Sequence, residues 1–228
     1  PLVEPYITGV SSGASLGATA AVLAGVTLFG ASTFSLPIMA FVGAVGAFLF
    51  TMVLAEAAGG RPISYVLSGV IVGIAMQAGT TLLMHFNANR VQSALFWLFG
   101  SFAQVGWDSA KVMVLVVLAI CVVMLLFAKE LNVVLLGDEQ ARQLVMNVRR
   151  FKTFMFILVS ALAAVCVAFT GVIGFVGLIV PHLVRMLIGG DHRILLPTSM
   201  ILGANVLLLA DIVCKTAMEP TELPIGAI

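Results

Sequence analysis

The chain has 228 residues, 61% of them hydrophobic and only 9% charged, with a formal net charge of +1. Soluble domains carry roughly 25% charged residues, so a mean hydropathy of +1.19 excludes an ordinary soluble protein and points to an all-α, polytopic transmembrane helical bundle. So small a net charge also excludes general affinity for nucleic acid, and three isolated cysteines without a CxxC or Cys/His pairing exclude a disulfide framework or a thiolate metal site.

The chain begins at Pro1 without methionine and shows no basic stretch followed by an apolar signal region. It therefore reads as a fragment. Seven stretches are long enough, or nearly so, to cross hydrocarbon at about 20 residues per helix: residues 12–30, 36–55, 63–84, 112–128, 154–170, 172–187 and 195–213. The apolar run from 154 to 187 is too long for one span, and Thr170 and Gly171 are where it divides.

Gly9-Val10-Ser11-Ser12-Gly13 matches the GxSxG pattern of a serine hydrolase elbow. That motif needs a preceding strand and later Asp and His partners, whereas Pro5 and a membrane helix flank it here. Ser11 or Ser12 is expected instead to cap the first helix. Gly9, Gly13 and Gly17 lie four apart, as do Gly69 and Gly73, and Gly171, Gly174 and Gly177 lie three apart. Small residues at such spacing let membrane helices approach closely, which predicts tight packing.

In the third span, Gln77, Thr80 and Thr81 with Met76 and Met84 could line a pathway, and a helix–helix contact accounts for them equally well. Beyond Arg90, residues 91–107 hold both tryptophans, Trp97 and Trp107, and tryptophan favours the membrane–water interface. This stretch is expected to lie along the outer surface.

Residues 129–152 form the one long polar passage, carrying Lys129, Glu130, Asp138, Glu139, Arg142, Arg149, Arg150 and Lys152. They are too polar for hydrocarbon. Val134, Leu135 and Leu136, then Leu144, Val145 and Val148, recur between the charges at helical spacing, which predicts two short amphipathic helices offered to a partner. Placing this passage in the cytoplasm puts Arg61, Arg185 and Arg193 there too, leaving Arg90, Lys111 and Lys215 outside. That count satisfies the positive-inside rule.

No lysine follows a glycine, so the GxxxxGK[ST] phosphate loop is absent, and ATP, if used, is hydrolysed by another chain. HExxH is missing, and His85, His182 and His192 are dispersed, so no metal or cofactor is expected. Ionisable residues cluster at span ends, where Asp211 and Lys215, four apart, can pair on a helix. Without a buried chain of acids and histidines, a proton-coupled pump is disfavoured.

Four passages resemble the FecCD/BtuC-like permease family, the transmembrane subunits of binding-protein-dependent ABC importers for iron-siderophores, haem and vitamin B12. They are PLVEPYITGVSSGASLG at 1–17, FWLFGSFAQVGW at 96–107, GVIGFVGLIVPHLVRMLIGGDHRILLP at 171–197 and ADIVCKTAMEPTELPIG at 210–226. The resemblance covers the whole chain and implies a single permease domain over 1–228, equivalent to the third through ninth of about ten helices.

It further implies that 129–152 is the cytoplasmic loop on which an ABC ATPase subunit docks, with Gly137, Asp138, Glu139, Ala141, Arg142, Leu144 and Asn147 fitting the pattern. Val145 replaces the glycine usual between its two helices. Lys215 stands where an arginine commonly meets acidic residues of a periplasmic or lipid-anchored substrate-binding protein, and the helix at 63–84 would line the pathway. A second permease copy, membrane lipid and a multi-pass place in the cytoplasmic (inner) membrane complete the expected setting. An ion-coupled secondary transporter and an intramembrane serine hydrolase are the alternatives, and the substrate stays open among iron-siderophore, haem and corrinoid.

Overall fold

The computed structural model describes residues 8–25, 32–87, 91–103, 105–135, 137, 147–217 and 223–227. Its elements in chain order are α1 (Val10–Ala24), α2 (Ser32–Ala57), α3 (Pro62–Phe86), α4 (Val91–Leu98), α5 (Trp107–Leu126), α6 (Ala128–Leu135), α7 (Val148–Thr170), α8 (Val176–Ile188), α9 (His192–Thr216) and a short 3₁₀ turn (Ile225–Ala227). Every regular element among the described residues is helical.

Helix boundaries follow from local chemistry. Pro62 opens α3, where its missing N–H costs nothing because the first turn has no intrahelical partner for it. Asn147 caps α7 by accepting from the Arg150 N–H, and Asp191 caps α9 by accepting from the Arg193 N–H. The division at Thr170 is observed: α7 ends there, Gly171 has φ 73°, and residues 171–174 are non-helical before α8 begins.

Among the described residues, five helices are long and apolar enough to span a bilayer: Phe34–Ala57, Ile63–Phe86, Trp107–Leu126, Arg150–Thr170 and His192–Thr216. The other two expected spans are shorter than read from the sequence. α1 has 15 residues and α8 has 13, or roughly 22 and 20 Å at 1.5 Å per residue, against a hydrocarbon thickness of about 30 Å. α1 stops at Gly25, which takes φ 63° and bonds its N–H to the Ala21 carbonyl. The first cap is also not a serine. Gly9 occupies it in the left-handed region, and Ser11 lies inside the helix, its carbonyl accepting from the Ser15 hydroxyl at 2.9 Å.

α1 packs between α2 and α3. A Cβ on Gly13 would collide with Ala47 and the Gly43 carbonyl, and one on Gly17 with the Met39 carbonyl. The expected close approach is therefore made by backbone against backbone. Gly9 lies beside Val72, Gly69 and Gly73, and the Thr51 hydroxyl donates to the Thr8 carbonyl at 3.0 Å. Since α3 begins at Pro62, α1 starts about ten residues, or roughly 15 Å, along it.

The main core is built from two i, i+4, i+8 rows, Val10, Ala14 and Ala18 of α1 and Ala40, Ala44 and Phe48 of α2, packed with Ala164, Val167 and Ala168 of α7 at i, i+3, i+4. A second cluster joins Val180 and Val184 of α8 to Leu195 of α9. Side chains this small give each helix pair many close contacts at low entropic cost.

Candidate functional site

Arg61, Arg150 and Lys152 come together at one end of the bundle, while Lys111 and Lys215 lie towards the other. Phe156 of α7 stacks on Phe48 of α2 and Tyr65 of α3, with ring centroids 5.3 and 5.5 Å apart. This brings the Arg61 turn level with the start of α7, where Arg150 and Lys152 are exposed. Phe127, at the end of α5, meets Phe151 and Phe154 of α7 at 6.0 and 5.6 Å. We call this end the inner one.

Within the polar passage, α6 is the first expected amphipathic helix. Asp138, Glu139, Ala141, Arg142 and Leu144 lie outside the described residues, as does most of the second expected helix. Val148, expected in the second amphipathic helix, and Arg149, Arg150 and Lys152 of the same polar passage form the first turns of α7. Of the remaining two candidates, Gly137 takes φ 117°, a conformation open to glycine. Asn147 holds the α7 cap, its carboxamide 3.2 Å from the Arg150 nitrogen.

Sequence reasoning missed a joint at this end. Asn132 of α6 donates from Nδ2 to Asp191 Oδ1 at 2.6 Å, and its Oδ1 accepts from the His192 N–H at 2.9 Å and lies 2.8 Å from His192 Nδ1. The α8–α9 turn is thereby bonded to α6. The Arg193 N–H, then the Asn132 carboxamide, hold the Asp191 carboxyl below the usual carboxylate range, so it is ionised at neutral pH. The one available signal was Asp before a helical run, a cap pattern; the partner 59 residues away has no sequence mark.

α3 presents two faces. Ile63, Leu67, Val70, Ile74, Gln77 and Thr81 recur on the exposed one, while Ser64, Ser68, Val72 and Thr80 recur on the buried one. Gln77 and Thr81 share the open face, the Thr81 hydroxyl donating to the Gln77 carbonyl at 3.0 Å. Thr80 does not join them. It is 1% exposed and donates to the Met76 carbonyl at 3.0 Å, so its side chain belongs to helix packing. Met76 and Met84 are half-buried and continue the i, i+4 row of Ser64, Ser68, Val72 and Thr80.

At the outer end, three loops meet through backbone. The Ser101 N–H donates to the Thr170 carbonyl at 2.9 Å, and the Ile225 and Gly226 N–H groups donate to the Gly100 and Phe99 carbonyls at 3.0 and 2.9 Å. A Cβ on Gly100, Gly171 or Gly226 would strike backbone of a neighbouring loop. Trp107 is 85% exposed. Trp97 instead packs partly buried against the main core. Lys215 is exposed at the end of α9 and pairs with Asp211 at 2.8 Å, the i, i+4 pairing read from the sequence.

Among the described residues, five helices long and apolar enough to cross a bilayer, with Arg61, Arg150 and Lys152 together at one end, define a polytopic membrane protein. The chain belongs to the FecCD transport family, whose pattern it matches over residues 1–228. It is 37% identical over 231 residues to an uncharacterised ABC transporter permease protein of Bacillus subtilis and 39% identical over 231 residues to a cobalamin import system permease protein of Halobacterium salinarum. Both matches cover 100% of this chain, which spans 65% and 60% of those relatives' lengths. A hemin transport system permease protein of Yersinia pestis is 35% identical over 99% of this chain and 67% of its own length. Among solved structures, an inward-facing metal-chelate type ABC transporter superposes with a TM-score of 0.88 at 31% identity, covering 100% of this chain and 72% of that one.

Proposed function

We propose that the chain is the transmembrane part of a binding-protein-dependent ABC importer that carries a metal chelate, haem or corrinoid inward across the cytoplasmic membrane. One observation carries this reading: a family match over the whole chain. Residues 129–152 serve as the surface on which a separate ATPase chain docks, with Asp138, Glu139 and Arg142 making the charged contacts and Gly137, Ala141, Leu144 and Asn147 shaping the segment. Two copies of the permease face each other, and the open face of α3, with Gln77 and Thr81 among its polar groups, borders the pathway. Met76 and Met84, half-buried on the same helix, are the apolar candidates beside it. Lys215 contributes to docking of the external binding protein, at a strength reduced by its pairing with Asp211.

ATP-driven movement of the docked subunits displaces the polar segment, and close-packed helices pass that displacement to α3. The test is uptake by the full-length chain reconstituted in liposomes with its ATPase and binding protein, using cobalamin, haemin and ferric citrate in turn. ATP-dependent accumulation of one of them is expected, with loss of ATPase binding and of uptake when Asp138, Glu139 and Arg142 are charge-reversed. Uptake driven by an ion gradient without ATP would replace this reading with a secondary transporter.

A further inference from the structure

α6 contacts the start of α9, and it leads directly into the polar segment that ends at Asn147. Apolar contact between two helices is non-directional and resists sliding weakly, whereas hydrogen bonds are directional and fix register. The bonds here converge on one carboxamide. Asn132 donates to Asp191 and accepts from His192 through adjacent atoms of the same planar group, and Asp191 in turn holds the first turn of α9 through the Arg193 N–H at 3.0 Å. A carboxylate at position 132 would face the Asp191 carboxylate, and an alanine would reach neither partner.

We propose that Asn132 is a positioning residue that locks α6 to the α8–α9 turn, so that displacement of the 137–147 segment by a docked ATPase is passed to α8 and α9. This rests on the docking reading above. α6 acts as a rigid strut of eight residues, and its joint to the turn stays closed through the cycle. Without the joint, the segment moves while α9 does not follow.

The experiment uses the full-length permease with its ATPase and binding protein in proteoliposomes, with Cys121, Cys166 and Cys214 replaced by alanine. Gly190→Cys supplies a reporter in the exposed turn, where an added Cβ meets no atom within 4 Å, and its maleimide labelling rate is compared with and without ATP. The parent should show an ATP-dependent rate, and Asn132→Ala and Asn132→Asp should each shrink that dependence by about 10-fold, within the range of ordinary coupling energies. The ATPase should still co-purify and hydrolyse ATP. Combining Asn132→Asp with Asp191→Asn puts a carboxamide opposite the new carboxylate and should restore the dependence to within about 2-fold, as a coupled pair requires.

The proposal is overturned if the parent shows no ATP dependence, if either single substitution leaves it unchanged, or if the double substitution fails to restore it. Loss of the ATPase from Asn132→Ala would also overturn it, placing the residue in the docking surface itself. Failure of the docking reading shows separately, as ATPase that stays bound after charge reversal at Asp138, Glu139 and Arg142.

Discussion

The two ends of the bundle are closed by different chemistry. At the outer end, Gly100, Gly171 and Gly226 let three loops touch backbone to backbone, and main-chain hydrogen bonds from Ser101, Ile225 and Gly226 tie them. At the inner end, side chains do the tying: Asn132 to Asp191 and His192, and Phe127 to Phe151 and Phe154. Backbone closure tolerates no Cβ at the crossing points, and it offers no group that a partner could compete for. Side-chain closure can be loosened one bond at a time. Under the proposed docking, the end that would receive the ATPase is the one closed by side chains.

The sharpest way to break this comparison is at the outer glycines. Gly171→Val places a β-branched residue at φ 73° with its Cβ against the Trp97 carbonyl. We expect a loss of about 3 kcal/mol or more from backbone strain and overpacking together, read as loss of monodisperse protein in detergent. A wild-type yield and melting temperature would show that the outer end yields. Inside the bundle, Gly43→Leu forces α1 and α2 apart, because a Cβ there already meets the Gly13 carbonyl. Overpacking of about 1–3 kcal/mol is expected, seen in the same assay as a lower melting temperature.

Inner-end substitutions should cost less stability and more coupling. Asn132→Ala removes hydrogen bonds at a partly exposed site, so about 1 kcal/mol is expected, and a melting temperature that falls as far as that of Gly171→Val would erase the distinction between the ends. Asn147→Ala removes the α7 cap at a cost of about 1 kcal/mol, measurable as faster amide exchange in the first turn of α7. The smallest effect is expected at Lys215→Gln. An exposed i, i+4 ion pair contributes about 0.3–0.5 kcal/mol, so stability should hardly change while affinity for the binding protein falls at low salt; an affinity independent of both salt and substitution would remove Lys215 from that surface.

Much of this arrangement was legible in the sequence, because it rests on composition and short-range pattern. Hydropathy marked every spanning helix, Gly9, Gly13 and Gly17 announced the close approach of α1, and the break at Thr170 followed from length alone. The misreadings have physical reasons. α1 and α8 are shorter than their apolar runs because hydropathy does not register where a glycine such as Gly25 turns the chain. Ser11 resembled a cap, yet Gly9 could enter the left-handed region first. Thr80 and Thr81 are adjacent, and only the helix's orientation against α1 and α2 decides which one is buried. The Asn132 joint was invisible because hydrogen bonding between distant residues follows from tertiary placement. Of the candidate docking residues, sequence named Asn147, and the structure adds its role as a cap.

The account depends most on the polar segment and the α8–α9 turn lying on the same side of the membrane. Single cysteines at Asp138→Cys and Arg193→Cys, in a full-length chain whose native cysteines are replaced by alanine, can be probed in intact cells with a membrane-impermeant maleimide. Both should stay unlabelled until the membrane is permeabilised and then react. Labelling of one but not the other in intact cells would place them on opposite sides and contradict the account.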